Sequence, residues 1–321
     1  MTDLKCPYDD TIKNYIIPTK SWLEALKQLD TMQEISMNKK IILGRMIEKE
    51  NVIVKVTNGK KKNLRDINMM IKGLPNMVYT YCVVFCNDYL SLILQNKYFC
   101  SAKDSKYKVT LEIMKYYNGG SLLALKTISF EKFKLILCQL ILTQINLFGK
   151  TGITHCDVHL SNVLINKHSK EIDLTYSYLP EPQIIKSKYE FILSDYDKCV
   201  SFSPDNIPHD EEIDGNLIAI NISEEADDLS QSTLYMNILR TINILVGKLD
   251  DKIKEKIVKI NNEFLMKNEA NMIKKESKYL INYIGKLNGE NKLEAFKEYK
   301  SRVIKINFEY YKKLMDLIGL L

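Results

Sequence analysis

The sequence predicts an α+β protein of two lobes, a small β-rich one followed by a larger helical one. Three observations carry this. Residues 35–56 and 78–117 hold short apolar runs rich in β-branched and aromatic side chains, broken by turn residues, as paired strands do. Residues 130–148, and much of 234–314, repeat their apolar positions at three- and four-residue spacing, the helical period. Between these regions a polar cluster, His155-Cys156-Asp157-Val158-His159-Leu160-Ser161-Asn162, runs straight into the apolar Val163-Leu164-Ile165. These patterns divide the chain at 1–115, 116–250 and 251–321, the last part being a helical C-terminal extension. With 321 residues, 45% of them hydrophobic, the chain can bury a sizeable core.

In chain order, a polar lead gives way to an amphipathic helix with Ser21 as N-cap and Trp22, Leu23, Ala25, Leu26 and Leu29 on its packing side. Strands follow at 35–37, 41–46 and 52–56. Lys55 is a lone cation inside Val52-Ile53-Val54-Lys55-Val56, a costly place for a charge without partners. After Asn58-Gly59 comes a helical run at 64–72, closed by Gly73 and Pro75. Apolar stretches at 78–85 and 89–94 precede a strand from Val109 that breaks at Gly119-Gly120.

Ser129 caps a helix whose Phe130, Phe133, Ile136, Leu137, Leu140, Ile141 and Phe148 form a core face beneath the polar cluster. Ile172, Leu174, Tyr176 and Tyr178 then alternate with polar residues up to Pro180 and Pro182, the signal of a hairpin. Phe191-Ile192-Leu193-Ser194 is a short apolar strand that ends in Asp195-Tyr196-Asp197. Leu234, Ile238, Ile242 and Leu245 share one helix face, and Ile257, Ile260, Phe264, Ile304, Phe308, Tyr311 and Leu314 continue the helical period.

The polar cluster reads as a catalytic loop for phosphoryl transfer from a nucleotide. Asp157 can accept the proton of an attacking hydroxyl, and Asn162 can turn back to ligate a metal ion. Asp195, at the end of a strand, is a second carboxylate that can join Asn162 in ligating the metal ion, and the ion neutralises phosphate charge. His155 is expected to pack beneath the loop. A second reading takes His155, Asp157 and His159 as metal ligands, since alternate positions share one face of a strand. No Cys-x-x-Cys and no further histidine pair supports it.

In these residues the chain resembles the protein kinase superfamily and, within it, the haspin-like serine/threonine branch. Asp157-Val158-His159 followed by Asn162-Val163-Leu164 is similar to haspin's catalytic loop rather than to the Asp-x-Lys of conventional kinases. Asp195-Tyr196 is similar to its Asp-Tyr element, and the 38 positions between Asp157 and Asp195 resemble the insertion haspin carries there. The resemblance implies a bilobal protein-kinase-like fold with ATP and Mg²⁺, or Mn²⁺ in its place. It implies that Lys55 clamps the nucleotide phosphates, that Asp66 in the first helix pairs with it, and that Met114, Lys115 and Tyr116 border the adenine. Leu74-Pro75-Asn76-Met77-Val78 resembles the kinase turn that follows that helix. The phosphate-covering glycine loop is missing; at its place stand Asn38-Lys39-Lys40, and Lys39 and Lys40 are expected to compensate with charge. Cys156 stands where an arginine usually grips a phosphorylated activation segment, the Ala-Pro-Glu ending of that segment is absent, and Asp228 is expected either to bond the catalytic loop or to cap its own helix.

The net charge of +6 conceals an asymmetry. Residues 205–230 carry nine acidic side chains and no Lys or Arg, whereas 252–321 carry 16 basic against nine acidic ones. Acids interleaved with those lysines indicate solvated helix faces rather than a nucleic-acid surface. Seven scattered cysteines without metal spacing, no secretory signal and no long apolar run suit an intracellular monomer, cytoplasmic or nuclear, in a host cell or virion if viral. The Lys, Asn and Ile richness suits the A/T-rich genome of a large DNA virus, a protist or an intracellular bacterium.

The expected function is transfer of the γ-phosphate of ATP to Ser or Thr of a protein substrate, with the acidic stretch favouring a basic one. No membrane span and no nucleic-acid partner are expected. The alternatives are a small-molecule phosphotransferase of the aminoglycoside or choline kinase type, which also uses an H-x-D-x-x-x-x-N loop, and a pseudokinase binding module.

Overall fold

The computed structural model describes residues 32–36, 41–45, 51–58, 62–86, 88–92, 97–101, 109–196, 198–204, 233–260, 266–287 and 289–319. The helix expected at 21–29, the turn carrying Lys39 and Lys40, and the acidic stretch with Asp228 lie outside these residues. The architecture is mixed α+β, with strands in the first third and mostly helices later. Two units divide the chain, one of Met1–Lys72 with Val78–Tyr116, the other of Gly73–Met77 with Tyr117–Leu321.

The first unit holds β1 (Met32–Ser36), β2 (Ile41–Arg45), β3 (Asn51–Asn58), α1 (Lys62–Ile71), β4 (Thr80–Cys86), β5 (Asp88–Leu92), β6 (Lys97–Ser101) and β7 (Val109–Lys115). Its antiparallel sheet has the order β1-β2-β3-β7-β4, and β5 pairs separately with β6. Because β7 inserts between β3 and β4, its residues Val109–Met114 each face a neighbour on both sides. Glu112 lies opposite Lys55 on β3 and Val83 on β4. Ile67 and Ile71, four apart on α1, are buried as an amphipathic helix requires.

The second unit is built on α2 (Phe130–Thr151). Ser129 Oγ accepts from the Lys132 N–H at its start. Gly152, at φ 73, lets its N–H turn back to the Phe148 carbonyl at its end, a conformation that favours glycine. Phe133, Ile136, Leu137, Leu140, Ile141, Ile145 and Phe148 are wholly buried, so the helix is core around most of its circumference.

Packed on α2 are α3 (Leu234–Val246) and α6 (Lys292–Gly319), with α4 (Asp251–Ile260) and α5 (Met266–Lys286) completing the helical set. Tyr299 of α6 lies edge-on to Phe148 at 6.0 Å and stacks on Tyr283 of α5 at 4.8 Å. The C-terminal helices therefore share the core of α2, and among the described side chains their lysines are exposed, apart from the half-buried Lys300. Among the described residues no helix is long and apolar enough to cross a membrane.

Four strands surround the polar cluster. A two-residue strand, β8 (Ile153–Thr154), leads into it and pairs with β11 (Val200–Ser201). A hairpin of β9 (Val163–Tyr176) and β10 (Gln183–Leu193) leads out, with a bulge between Ser187 and Tyr189. The Gly119-Gly120 break clamps β9 where it leaves the loop. Gly119 N–H donates to the Ile165 carbonyl at 2.9 Å, and Ile165 N–H donates to Gly120 at 2.8 Å. A Cβ on Gly119 would sit 2.7 Å from that carbonyl, so the approach needs glycine.

Gly73–Met77 joins this unit through Asn76, which is fully buried with φ 58. Its amide donates to Gln139 at 2.7 Å and to the Phe191 carbonyl at 3.1 Å, and accepts from the Tyr176 hydroxyl at 2.6 Å. Every polar atom of that side chain is used, as a buried amide demands.

Candidate active site

The loop between β8 and β9 is held from below by His155. Its ring is 1% exposed, lies edge-on to Tyr196 at 5.3 Å, and places Nε2 3.0 Å from the Ser194 carbonyl. Burial pushes its pKa down to about 4, so the imidazole is neutral near pH 7 and Nε2–H donates to Ser194. Nδ1 then faces the Asp157 N–H at 3.4 Å. Both ring nitrogens are engaged inward, which removes His155 from any metal site. Among the described residues no three His, Cys, Asp or Glu groups gather around a metal position. The second reading, with His155, Asp157 and His159 as ligands, therefore fails.

Asp157 is brought to Asn162 by the loop's own curvature. Asn162 Nδ2 donates to the Asp157 carbonyl at 3.0 Å and to its Oδ2 at 3.3 Å. Two acceptors on one residue fix which end of the amide is nitrogen. Oδ1 is thereby turned away from Asp157, and among the described residues no hydrogen-bond donor meets it. The Asn162 carbonyl accepts from the Ser194 N–H at 2.9 Å and from Ser194 Oγ at 3.1 Å. This ties the residue before Asp195 to the loop.

Asp195 follows with φ 67, in the left-handed region. For a residue with a Cβ that conformation costs on the order of 1 kcal/mol and concentrates at functional sites. Tyr196 is buried, with its hydroxyl donating to the Leu193 carbonyl at 2.7 Å, so the chain turns sharply about an anchored ring.

Two further groups reach the Asp157 carboxylate. Lys198 Nζ lies 3.0 Å from Oδ1 and His159 Nε2 lies 3.6 Å from Oδ2. The carboxylate is 19% exposed, which leaves room for an acceptor hydroxyl.

Cys156, also at positive φ (57), is secured by α3. Asn237 Oδ1 accepts the Cys156 N–H at 2.8 Å, and Arg240 donates to its carbonyl at 3.3 Å. Asn237 thus makes the bond to the loop backbone that was one of the two roles expected of Asp228. Its signal was a polar residue on the apolar face shared by Leu234 and Ile238. The N-terminus of α3 is fixed in turn by Glu276 of α5. The Glu276 carboxylate is fully buried and accepts from the Leu234 and Tyr235 N–H groups at 2.8 and 3.1 Å, and from Asn307 at 3.3 Å. The Leu234 and Tyr235 N–H groups are helix-end donors without an intrahelical partner, and a carboxylate there also meets the favourable end of the helix dipole.

In the first unit Lys55 is 7% exposed, and its Nζ lies 3.5 Å from Glu112 Oε2 on β7. Glu112 Oε1 accepts from Asn68 of α1 at 3.3 Å, and Asn68 Oδ1 accepts from the Thr80 hydroxyl at 2.8 Å. A buried network thus joins two strands, a helix and the start of a third strand. Asp66 lies in α1, with its side chain outside the described residues; the α1 residue that joins this network is Asn68. Met114 and Lys115 end β7 and Tyr116 follows it; Met114 and Tyr116 are half-buried and Lys115 is exposed.

No protein family model matches the chain, and no curated protein matches it. Among solved structures, that of the Cydia pomonella granulovirus kinase PK-1 is similar at 15% identity, over 74% of this chain and 79% of that one, with a TM-score of 0.40. Nothing in these comparisons singles out the haspin branch.

Proposed function

We propose that the chain is an ATP-dependent kinase that transfers the γ-phosphate to an alcohol, with Ser or Thr of a basic protein as the acceptor. The observation that carries the reading is the Asp157–Asn162–Ser194 linkage, which holds a partly exposed carboxylate beside a fixed amide and next to a strained Asp195. In this reading Asp157 receives the acceptor's proton, and Lys55 binds the nucleotide phosphates. Met114, Lys115 and Tyr116 are assigned to the adenine, and Asp66, Lys39 and Lys40 to the support of nucleotide binding.

The donor chemistry fits magnesium. Asn162 Oδ1 and the Asp195 carboxylate are hard oxygen ligands, and Mg²⁺ is commonly held by one or two such groups with phosphates and water completing its shell. When bound, the ion supplies neutralisation of phosphate charge.

The test is transfer of labelled γ-phosphate from Mg-ATP to basic proteins, acidic proteins and small alcohols or aminoglycosides, by wild type and Asp195→Ala. Label on basic protein that disappears in the variant supports the reading in full. Label on a small molecule moves it to a small-molecule phosphotransferase, and nucleotide binding without transfer makes the chain a binding module.

A further inference from the structure

We propose that Lys198 is a catalytic residue whose ammonium leaves Asp157 to bind the γ-phosphoryl group as it is transferred. The assignment rests on the phosphotransferase reading and deepens it. Lys198 Nζ lies 3.0 Å from Asp157 Oδ1, yet its side chain is 57% exposed. So exposed an ion pair adds little to stability, so folding alone does not account for it.

The backbone that carries Lys198 is well anchored. The Cys199 N–H closes a turn onto the Tyr196 carbonyl at 3.2 Å, and Tyr196 and Cys199 are buried. One residue further on, Val200 pairs with Thr154 in the strand that leads into the loop. An anchored backbone with an exposed ammonium suits a side chain that must exchange partners during a reaction.

The two carboxylate oxygens of Asp157 are not equivalent. Oδ2 faces Asn162 at 3.3 Å and His159 at 3.6 Å, and His159 is itself bonded to Ser161 Oγ at 2.7 Å. Oδ1 faces the exposed Lys198. An acceptor hydroxyl therefore meets Oδ1, and the phosphorus it attacks is one bond away from that hydroxyl oxygen. A cation able to touch Oδ1 is also within reach of the phosphoryl oxygens. In the step, the hydroxyl oxygen forms a bond to the γ-phosphorus and its proton passes to Asp157 Oδ1. The bond from phosphorus to the β–γ bridging oxygen breaks, and its electron pair leaves with ADP. Lys198 stays protonated throughout and offsets charge on the phosphoryl oxygens.

The test compares wild type, Lys198→Ala, Lys198→Arg and Asp157→Asn by steady-state transfer and by titration with Mg-ADP and with the Mg complex of β,γ-imido-ATP. Loss of one charge-stabilising group lowers kcat by about 10²–10³-fold in Lys198→Ala. Affinity for the imido analogue falls by about tenfold, affinity for ADP is unchanged, and Lys198→Arg recovers part of both losses. Wild-type kcat in Lys198→Ala, or equal loss of affinity for ADP and the analogue, overturns the assignment. If Asp157→Asn abolishes transfer and Lys198→Ala does not, only the role of Lys198 falls. If wild type and Asp157→Asn share one background rate, the phosphotransferase reading falls and the role of Lys198 with it.

Discussion

Asn162 reaches back five positions to hold Asp157 twice, at the main-chain carbonyl and at carboxylate Oδ2. The same residue receives both donors of Ser194 on its own carbonyl, so one side chain and one peptide group join the loop to the Asp195 turn. Replacing Asn162 by Ala removes the hold on Asp157 and the proposed metal ligand Oδ1, and leaves the backbone bonds to Ser194. The lost hydrogen bond to a charged group alone is worth about 1.5–3 kcal/mol, so kcat should fall by at least about 10–100-fold. Asn162→Asp should cost more, because it sets a second carboxylate beside the first. Steady-state transfer assays on both variants measure this; unchanged kcat in Asn162→Ala contradicts it.

Stability should respond to pH through two buried groups of opposite sense. Burial raises the Glu276 pKa to about 7, so its contribution is full below its unfolded value near 4.5 and is lost as pH rises through 7. Burial lowers the His155 pKa to about 4, so its contribution is full above its unfolded value near 6.5 and is lost as pH falls through 4. Each slope is about 1 kcal/mol per pH unit, and between about pH 4.5 and 6.5 they oppose and largely cancel. Denaturant unfolding without nucleotide or metal should therefore be nearly flat in that window. Glu276→Gln should uncover a loss of stability on acidification; a flat profile in that variant contradicts the assignment.

Lys55 and Glu112 form a buried pair across β3 and β7, 7% and 3% exposed. Removing one charge from a buried pair costs about 3–5 kcal/mol, whereas replacing both by apolar residues is often neutral. Glu112→Leu should therefore unfold at markedly lower denaturant than wild type, and Lys55→Met with Glu112→Leu should recover most of the loss while remaining inactive. A single variant as stable as wild type would show that the pair does not hold the sheet together.

Local patterns in the sequence reveal the elements and the loop. Ser129, the spaced apolar residues after it and Gly152 mark α2 because caps and helical period are properties of neighbouring residues. The alternation of Ile172, Leu174 and Tyr176 likewise marks β9. Partners distant in sequence are harder to read. Glu112 comes opposite Lys55 only because β7 inserts between β3 and β4, a matter of strand order that no local period encodes. The available signal is that each charge is flanked on both sides by apolar residues, Val54 and Val56 around Lys55 and Leu111 and Ile113 around Glu112. Glu276 was hidden in a lysine-rich helix, where an acid reads as part of a solvated face. Its spacing with Met272, Leu280 and Tyr283 places it on the buried side. The pairing of Lys198 with Asp157 depends on the turn after Asp195 and on the β8–β11 bridge, neither of which has a sequence signature.

The most direct test of the phosphotransferase reading is single-turnover transfer of labelled γ-phosphate by wild type and Asp157→Asn, with nucleotide affinity measured on the same samples. General-base catalysis contributes about 10²–10⁴-fold, so the variant should transfer slower by that factor while binding Mg-ATP as wild type does. Equal transfer rates in the two proteins, or no transfer by a wild type that binds Mg-ATP, would contradict the role given to Asp157 and the reading built on it.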